Sequence, residues 1–430
     1  MTTKARYLKS EEILSLAEKV IPLGSQTFSK SKTQYPLGVS PFFATRGSGS
    51  YLWDVDGNRY IDLVASLAAV TLGYGDREIA RVVKRQLKKG VSLSLSSELE
   101  MQVAQKIIDL VPGSEMVRFA KNGSDATSAA VRIARHHTGR NHIISIGYHG
   151  WHDWYIGSTT RSMGVPKSVQ SLTLSAKYND TSSIEALFNS VEGDVAALIL
   201  EPMNSTYPKK GYLESLREFC TKNKVILIFD EVITGFRFSG GGAQELFNIR
   251  PDLSCFGKGM ANGFPVSAIS GRRDIMSGFE QVFFSGTFGG ELLSLAAANV
   301  VLDKVSRGEV IPNLYRIGNQ LMNGIKHEIN SHKYDFLDVS GNPTWSFLNW
   351  KFEDPNLLNK VKTLFLQEMF ADGILILNTH NITTSLREKD LEKILGAYSR
   401  VLALISNVLH TKNIDSALKC NPIVPLFQIR

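Results

Sequence analysis

Long apolar runs are missing from this chain. Nowhere do about eighteen residues pass without a polar or charged one, so no segment reads as a helix that spans a bilayer. Met1 to Ser10 has no apolar core of the kind a signal peptide needs, so no leader is expected. Cysteine is scarce as well: Cys220, Cys255 and Cys420 are the 3 in 430 residues. They are too few and too scattered for a disulfide framework or a zinc site, and a reducing cytoplasm is the expected location. There is no internal repeat and no low-complexity linker. Neither sign of charge dominates, with 48 Lys and Arg against 41 Asp and Glu, a net +7. The densest basic stretch, Arg81 to Lys89, interleaves Val82, Val83 and Leu87 at helical spacing. That pattern describes a helix with one buried and one solvated face, so neither nucleic acid nor membrane is expected as a partner.

What the chain does have is material for a large core, with 43% hydrophobic and 21% charged residues over a length too great for one compact core. Residues 1–61 read as an N-terminal segment, with a helix from Ser10 to about Val20 and a hairpin from Tyr51 to Ile61 turning at Asp56-Gly57. From 62 to 306, short β-branched runs alternate with helical patterns, which predicts an α/β domain around a mostly parallel sheet. Residues 307–430 predict a smaller α+β domain. Its helices run from Ile311 to about Ser331, near Asn356 to Ala371 and from Glu388 to His410, with strand-like pieces at Tyr334 to Ser340 and Trp345 to Phe352.

Within the parallel-sheet region, polar groups recur at strand ends. Val225 to Phe229 is an apolar run closed by Asp230-Glu231, and Lys258 follows between Gly257 and Gly259. A lysine between glycines is open to a flat ligand, and a carboxylate closing a buried strand suits a charged ring nitrogen. Taken singly, each reads more simply as a solvated lysine or a loop start. Together they point to pyridoxal phosphate. Upstream, the strand Val117 to Ala120 turns through Lys121-Asn122-Gly123-Ser124-Asp125 into an Ala-rich helix from about Ala126 to His137, a place where a phosphate finds free amides unless Ser124 or Asp125 is only a cap. After the strand His142 to Ile146 come Tyr148, His149, Trp151 and His152, where an aromatic or imidazole ring can stack on a flat cofactor. The two histidines lack the cysteines or carboxylates of a metal site, so no metal is expected; Trp151 and His152 also read as packing residues. Val195 to Leu200 ends in Glu201-Pro202, and Ser285-Gly286-Thr287 places a further hydroxyl just before a helix.

These residues make the chain resemble the class III, fold-type I aminotransferases that depend on pyridoxal phosphate, and within them the glutamate-1-semialdehyde 2,1-aminomutases. The resemblance runs from about Leu23 to Leu402. It is carried by Asn122-Gly123-Ser124, Tyr148-His149-Gly150, the run Asp230-Glu231-Val232-Ile233-Thr234-Gly235-Phe236-Arg237, Lys258-Gly259 and Gly286-Thr287-Phe288. It implies a seven-stranded, mostly parallel sheet and a homodimer with a shared active site. Lys258 would bond the coenzyme and move the substrate's proton, while Asp230 keeps the pyridine nitrogen protonated. Val232 would lie beneath the ring and Tyr148 above it, with His149 beside the cofactor. Asn122, Gly123 and Ser124 would cradle the phosphate, helped by Thr287 of the neighbouring subunit. For the lysine to act at neutral pH its pKa must be lowered, by desolvation and a nearby cation.

The departures from the aminomutase pattern bear on the substrate. Lys30 stands where an arginine would grip a carboxylate, Thr379-His380-Asn381 replaces an acidic segment, and Gly289-Gly290-Glu291 replaces a Ser-Gly-Asn-like one. No clear counterpart exists of the C-terminal arginine used by many class III aminotransferases, Arg387 being only a weak candidate. A pocket lined by Lys30, Glu291, His380 and Asn381 would suit a polyhydroxylated carbonyl acceptor, with an amino acid such as glutamate as donor. The alternatives are a true aminomutase, and a homologue that binds the coenzyme without turning over.

Overall fold

The computed structural model describes residues 6–424. These residues form two compact units, one of residues 6–67, 71–76 and 313–424, the other of residues 68–70 and 77–312. The first unit opens with β1 (Ala44–Ser48), β2 (Tyr51–Asp54) and β3 (Arg59–Asp62), antiparallel neighbours joined by tight turns. Gly57 supplies the left-handed residue (φ +85°) that the turn between β2 and β3 requires.

The second unit is built on seven strands: β4 (Met116–Ala120), β5 (His142–Ile146), β6 (Thr173–Ser175), β7 (Val195–Leu200), β8 (Ile226–Asp230), β9 (Leu253–Phe256) and β10 (Ser267–Gly271). Their order is β4-β10-β9-β8-β7-β5-β6, and β10 alone runs against the rest. Every residue of Val195–Leu200 is buried, as expected of a central parallel strand covered on both faces. On one face the helix Gly123–Thr138 lays Ala126, Ala129, Ala130, Ile133 and Ala134 against Ile143, Ala197, Ile228 and Ile269. On the other, Leu213, Leu216 and Cys220 of the helix Tyr212–Asn223 meet Leu198, Leu227 and Phe229. Each large aliphatic side chain buried this way contributes about 1.5–3 kcal/mol.

The remaining strands of the first unit are β11 (Leu337–Asn342), β12 (Trp345–Trp350), β13 (Ile374–Leu375) and β14 (Thr379–Asn381). β13 joins β3 in parallel, while β11, β12 and β14 make a separate three-stranded sheet. Pairing of Ile61 with Ile374 and of Gly49 with Tyr74 carries the first unit past the expected boundary at 61–62. At the other end the division falls after 312 rather than at 306. Among the described residues no helix is long and apolar enough to cross a membrane.

Candidate active site

The loops at the carboxyl ends of β4, β5, β7, β8 and β9 carry the unit's reactive groups, where ligands of parallel sheets bind. After β4, Asn122 caps the helix Gly123–Thr138. Its Oδ1 accepts the Asp125 N–H at 3.2 Å, and the Asp125 carboxylate accepts the Asn122 N–H at 3.0 Å. This reciprocal cap closes the turn earlier than Ala126, the start read from sequence, and makes Asn122 rather than Ser124 the capping residue. The amides of Gly123 and Ser124 have no preceding turn to donate to and stand at the positive end of the helix dipole.

The loop after β5 is seated directly on that helix start. Ser124 Oγ accepts the Trp151 N–H at 3.2 Å, and Thr127 Oγ1 donates to the His149 carbonyl at 2.8 Å. Gly150 makes the approach possible: its φ is +105°, and a Cβ there would stand 2.2 Å from Ser124 Oγ. Gly150→Ala is therefore expected to cost roughly 1–3 kcal/mol of stability and to weaken coenzyme binding. Thermal scans and an absorbance titration with the coenzyme check this, and unchanged values for both would show the contact to be soft.

Asp230 ends β8 and is buried. His149 Nδ1 lies 2.8 Å from its Oδ2, His149 Nε2 lies 3.1 Å from the Ile146 carbonyl, and the Val232 N–H donates to Asp230 Oδ1 at 3.1 Å. His149 therefore braces the carboxylate through its ring nitrogen. Tyr148 is 44% exposed, with its ring edge-on to Tyr155 at 5.6 Å. Glu231 is fully buried, and its carboxylate accepts the Ala243 and Gln244 amides at 2.8 Å each and the Thr234 hydroxyl. Gln244 Nε2 continues to Ser254 Oγ on β9 at 3.0 Å, tying the loop after Asp230 to the strand that leads to Lys258. Burial pushes the Glu231 carboxyl up to about 7.

Lys258 opens a 3-10 turn after Gly257 with φ +40°, a value that side-chain-bearing residues seldom adopt. Burial pushes its amine below the usual lysine value; Asp230 and Glu201 oppose that shift and Arg237 adds to it. The cation required beside the lysine is thus Arg237, itself buried, with Nη2 donating to the Ala68 carbonyl at 3.3 Å. Val232 stands between the two ends of the site: a Cβ on Gly123 would lie 3.0 Å, and one on Gly257 3.4 Å, from its Cγ1.

Residues 34–389 match the family described as aminotransferase class-III. The chain belongs to the class III aminotransferases. A glutamate-1-semialdehyde 2,1-aminomutase of Desulforamulus reducens is 38% identical over 337 residues, covering 74% of this chain and 78% of that protein. A 3-aminobutyryl-CoA aminotransferase of Cloacimonas acidaminovorans is 31% identical over 419 residues, covering 95% and 100%. The FumI protein of Sphingopyxis sp. MTA144, solved in a PLP form, is 26% identical with a TM-score of 0.88, covering 96% of this chain and 99% of that one. The fold is the fold-type I transferase fold, and the coenzyme of the family is pyridoxal phosphate. The residues present fit that coenzyme: open amides at a helix start, a glycine approach that a Cβ would fill, a buried carboxylate for the ring nitrogen and a lysine of lowered pKa.

The aminotransferase uses the residues expected around the substrate differently. His380 is buried, with Nδ1 2.8 Å from Ser346 Oγ and Nε2 2.6 Å from the Tyr398 hydroxyl, and burial pushes its pKa down to about 3. The Asn381 amide donates to the Leu63 and Val64 carbonyls at 3.1 and 2.9 Å. Both side chains thus help to hold the first unit together. Glu291 caps the helix Leu292–Ser306, accepting the Leu293 and Ser294 amides at 2.7 and 3.2 Å, and pairs with Lys121 Nζ at 3.2 Å. Its carboxylate anchors the start of that helix. Lys30 is exposed at the end of the turn Phe28–Lys30 in the first unit. Thr287 is exposed and lines a cleft of about 240 Å³ with Ser92 to Ser97, Glu100, Gly290 and Leu292.

Proposed function

We propose that this aminotransferase moves an amine from an amino acid such as glutamate onto a keto or aldehyde acceptor bearing hydroxyl groups, sugar-like in character. The observation that carries this reading is the cleft beside Thr287. Ser92, Ser94 and Ser96 line it together with Ser97 and Glu100, which cap the helix Glu98–Leu110, and neither lysine nor arginine is among its walls. Hydroxyls and a carboxylate pair well with substrate hydroxyls, whereas an acceptor carboxylate calls for an arginine fork.

In this reading pyridoxal phosphate supplies an electron sink for the substrate's Cα. The Gly123 and Ser124 amides, with the Asn122 turn, would hold its phosphate, and Asp230, braced by His149, would hold the proton on its ring nitrogen. Val232 and Tyr148 would flank the ring. Lys258 Nζ, whose ammonium form is disfavoured by burial and by Arg237, would take the proton from the substrate Cα. Thr287 serves the neighbouring copy in a homodimer with shared sites. That pairing is supported by apolar surface a single copy would leave in water: Phe283, Phe288 and Leu95 are 79%, 59% and 84% exposed.

The second reading, an aminomutase in which donor and acceptor share one carbon skeleton, is favoured by the 38% identity to the Desulforamulus reducens protein. Kinetics separate the two. The proposal expects glutamate plus a hydroxylated keto or aldehyde acceptor to turn over, with glutamate 1-semialdehyde a poor substrate. Efficient formation of 5-aminolevulinate from the semialdehyde alone would overturn it in favour of the aminomutase.

A further inference from the structure

Sequence position marks Glu201 only as the end of a strand, yet the fold puts it beside the coenzyme residues. Leu200 pairs with Phe229 in the parallel ladder, so Glu201 and Asp230 emerge side by side at the carboxyl edge of the sheet. Glu201 Oε2 accepts the Tyr148 N–H at 3.2 Å and the Asn204 side-chain amide at 3.0 Å. Gly147 leaves the space this needs: with φ +99°, a Cβ there would stand 2.7 Å from Glu201 Oε2.

We infer that Glu201 is a positioning residue of this site, anchoring the backbone that carries Tyr148 and acting, with Asp230, as a second anion around Lys258 Nζ. The inference rests on the reading of Tyr148 and Lys258 as coenzyme residues. Glu201 is faced by Asp230 from β8, by His149 and the Tyr148 amide from the loop after β5, by Asn204, and by the phenols of Tyr148, Tyr155 and Tyr178. Burial and Asp230 push its carboxyl up, while His149 and the two donors pull it back down. Lys258 feels Asp230 from β8, Glu201 from β7 and Arg237 from the loop after β8. Burial and Arg237 favour the neutral amine, and the two carboxylates favour the ammonium. Removing the Glu201 charge tips that balance towards the neutral amine; removing its reach loosens Tyr148.

Two substitutions separate these roles. E201Q keeps length and an acceptor for the Tyr148 amide but loses the charge, while E201D keeps the charge and loses the reach. The full-length chain, freed of coenzyme, is labelled with an amine-reactive anhydride across pH, and modification of Lys258 is followed by mass spectrometry. E201Q is expected to move the Lys258 profile to lower pH, with several-fold faster labelling at pH 7, and E201D to follow wild type while binding coenzyme more weakly. In the holoenzymes, the pH midpoint of the coenzyme's absorbance change should move down for E201Q only. A Lys258 profile in E201Q that coincides with wild type or moves to higher pH overturns the inference, as does a profile shared by E201Q and E201D. Failure of the parent reading looks different: the coenzyme would not map to Lys258 on borohydride reduction, whatever the labelling shows.

Discussion

Lys258→Ala is expected to abolish amino-group transfer while leaving the coenzyme bound without a covalent link. Lys258 is the amine that the fold brings to Asp230, Glu201 and Arg237 together. General acid–base transfer contributes about 100- to 10,000-fold to a rate, and covalent attachment is lost as well, so turnover should fall by more than about 10,000-fold. The variant should still fold, because alanine removes an amine whose burial disfavours its charged form. Borohydride reduction and peptide mapping read the result: coenzyme on the Lys258 peptide of the wild type, and on no peptide of the variant. Turnover within tenfold of wild type would exclude the role given to Lys258.

Asp230→Asn should be the next most damaging change. Asparagine can keep the bond from the Val232 amide and nearly the same shape, so what is lost is the negative charge that His149 braces at 2.8 Å. Losing one preorganised electrostatic group typically costs about 100- to 1,000-fold, and a drop of that size is expected in the single-turnover rate with amino donor. Coenzyme affinity should change far less, since the amides at the start of the Gly123–Thr138 helix are untouched. A single-turnover rate equal to wild type would mean that the ring nitrogen's proton is held by some other group.

Much of this architecture is legible in the primary structure. His142–Ile146, Val195–Leu200, Ile311–Ser331 and Glu388–His410 have the limits that apolar periodicity predicts, because strands and helices covered by neighbours need continuous or 3.6-spaced apolar residues. Lys258, Asp230 and the Asn122-Gly123-Ser124 turn are legible for a related reason: glycines and strand-end polar groups leave a local mark. The substrate residues leave no such mark. Glu291 reads as a pocket acid until Lys121, 170 residues earlier, and the helix that follows it claim its carboxylate. His380 reads as a polar liner until Tyr398 and Ser346 close on both ring nitrogens. Glu201 and Arg237 are the reverse case, ordinary in sequence and brought to the lysine by the sheet. Local patterning by itself determined which segments become strands and helices, and it marked Lys258 and Asp230 as the amine and carboxylate proposed to serve the coenzyme. Only the tertiary structure decided which polar side chains are left facing that lysine, because burial and partnership depend on neighbours distant in the chain.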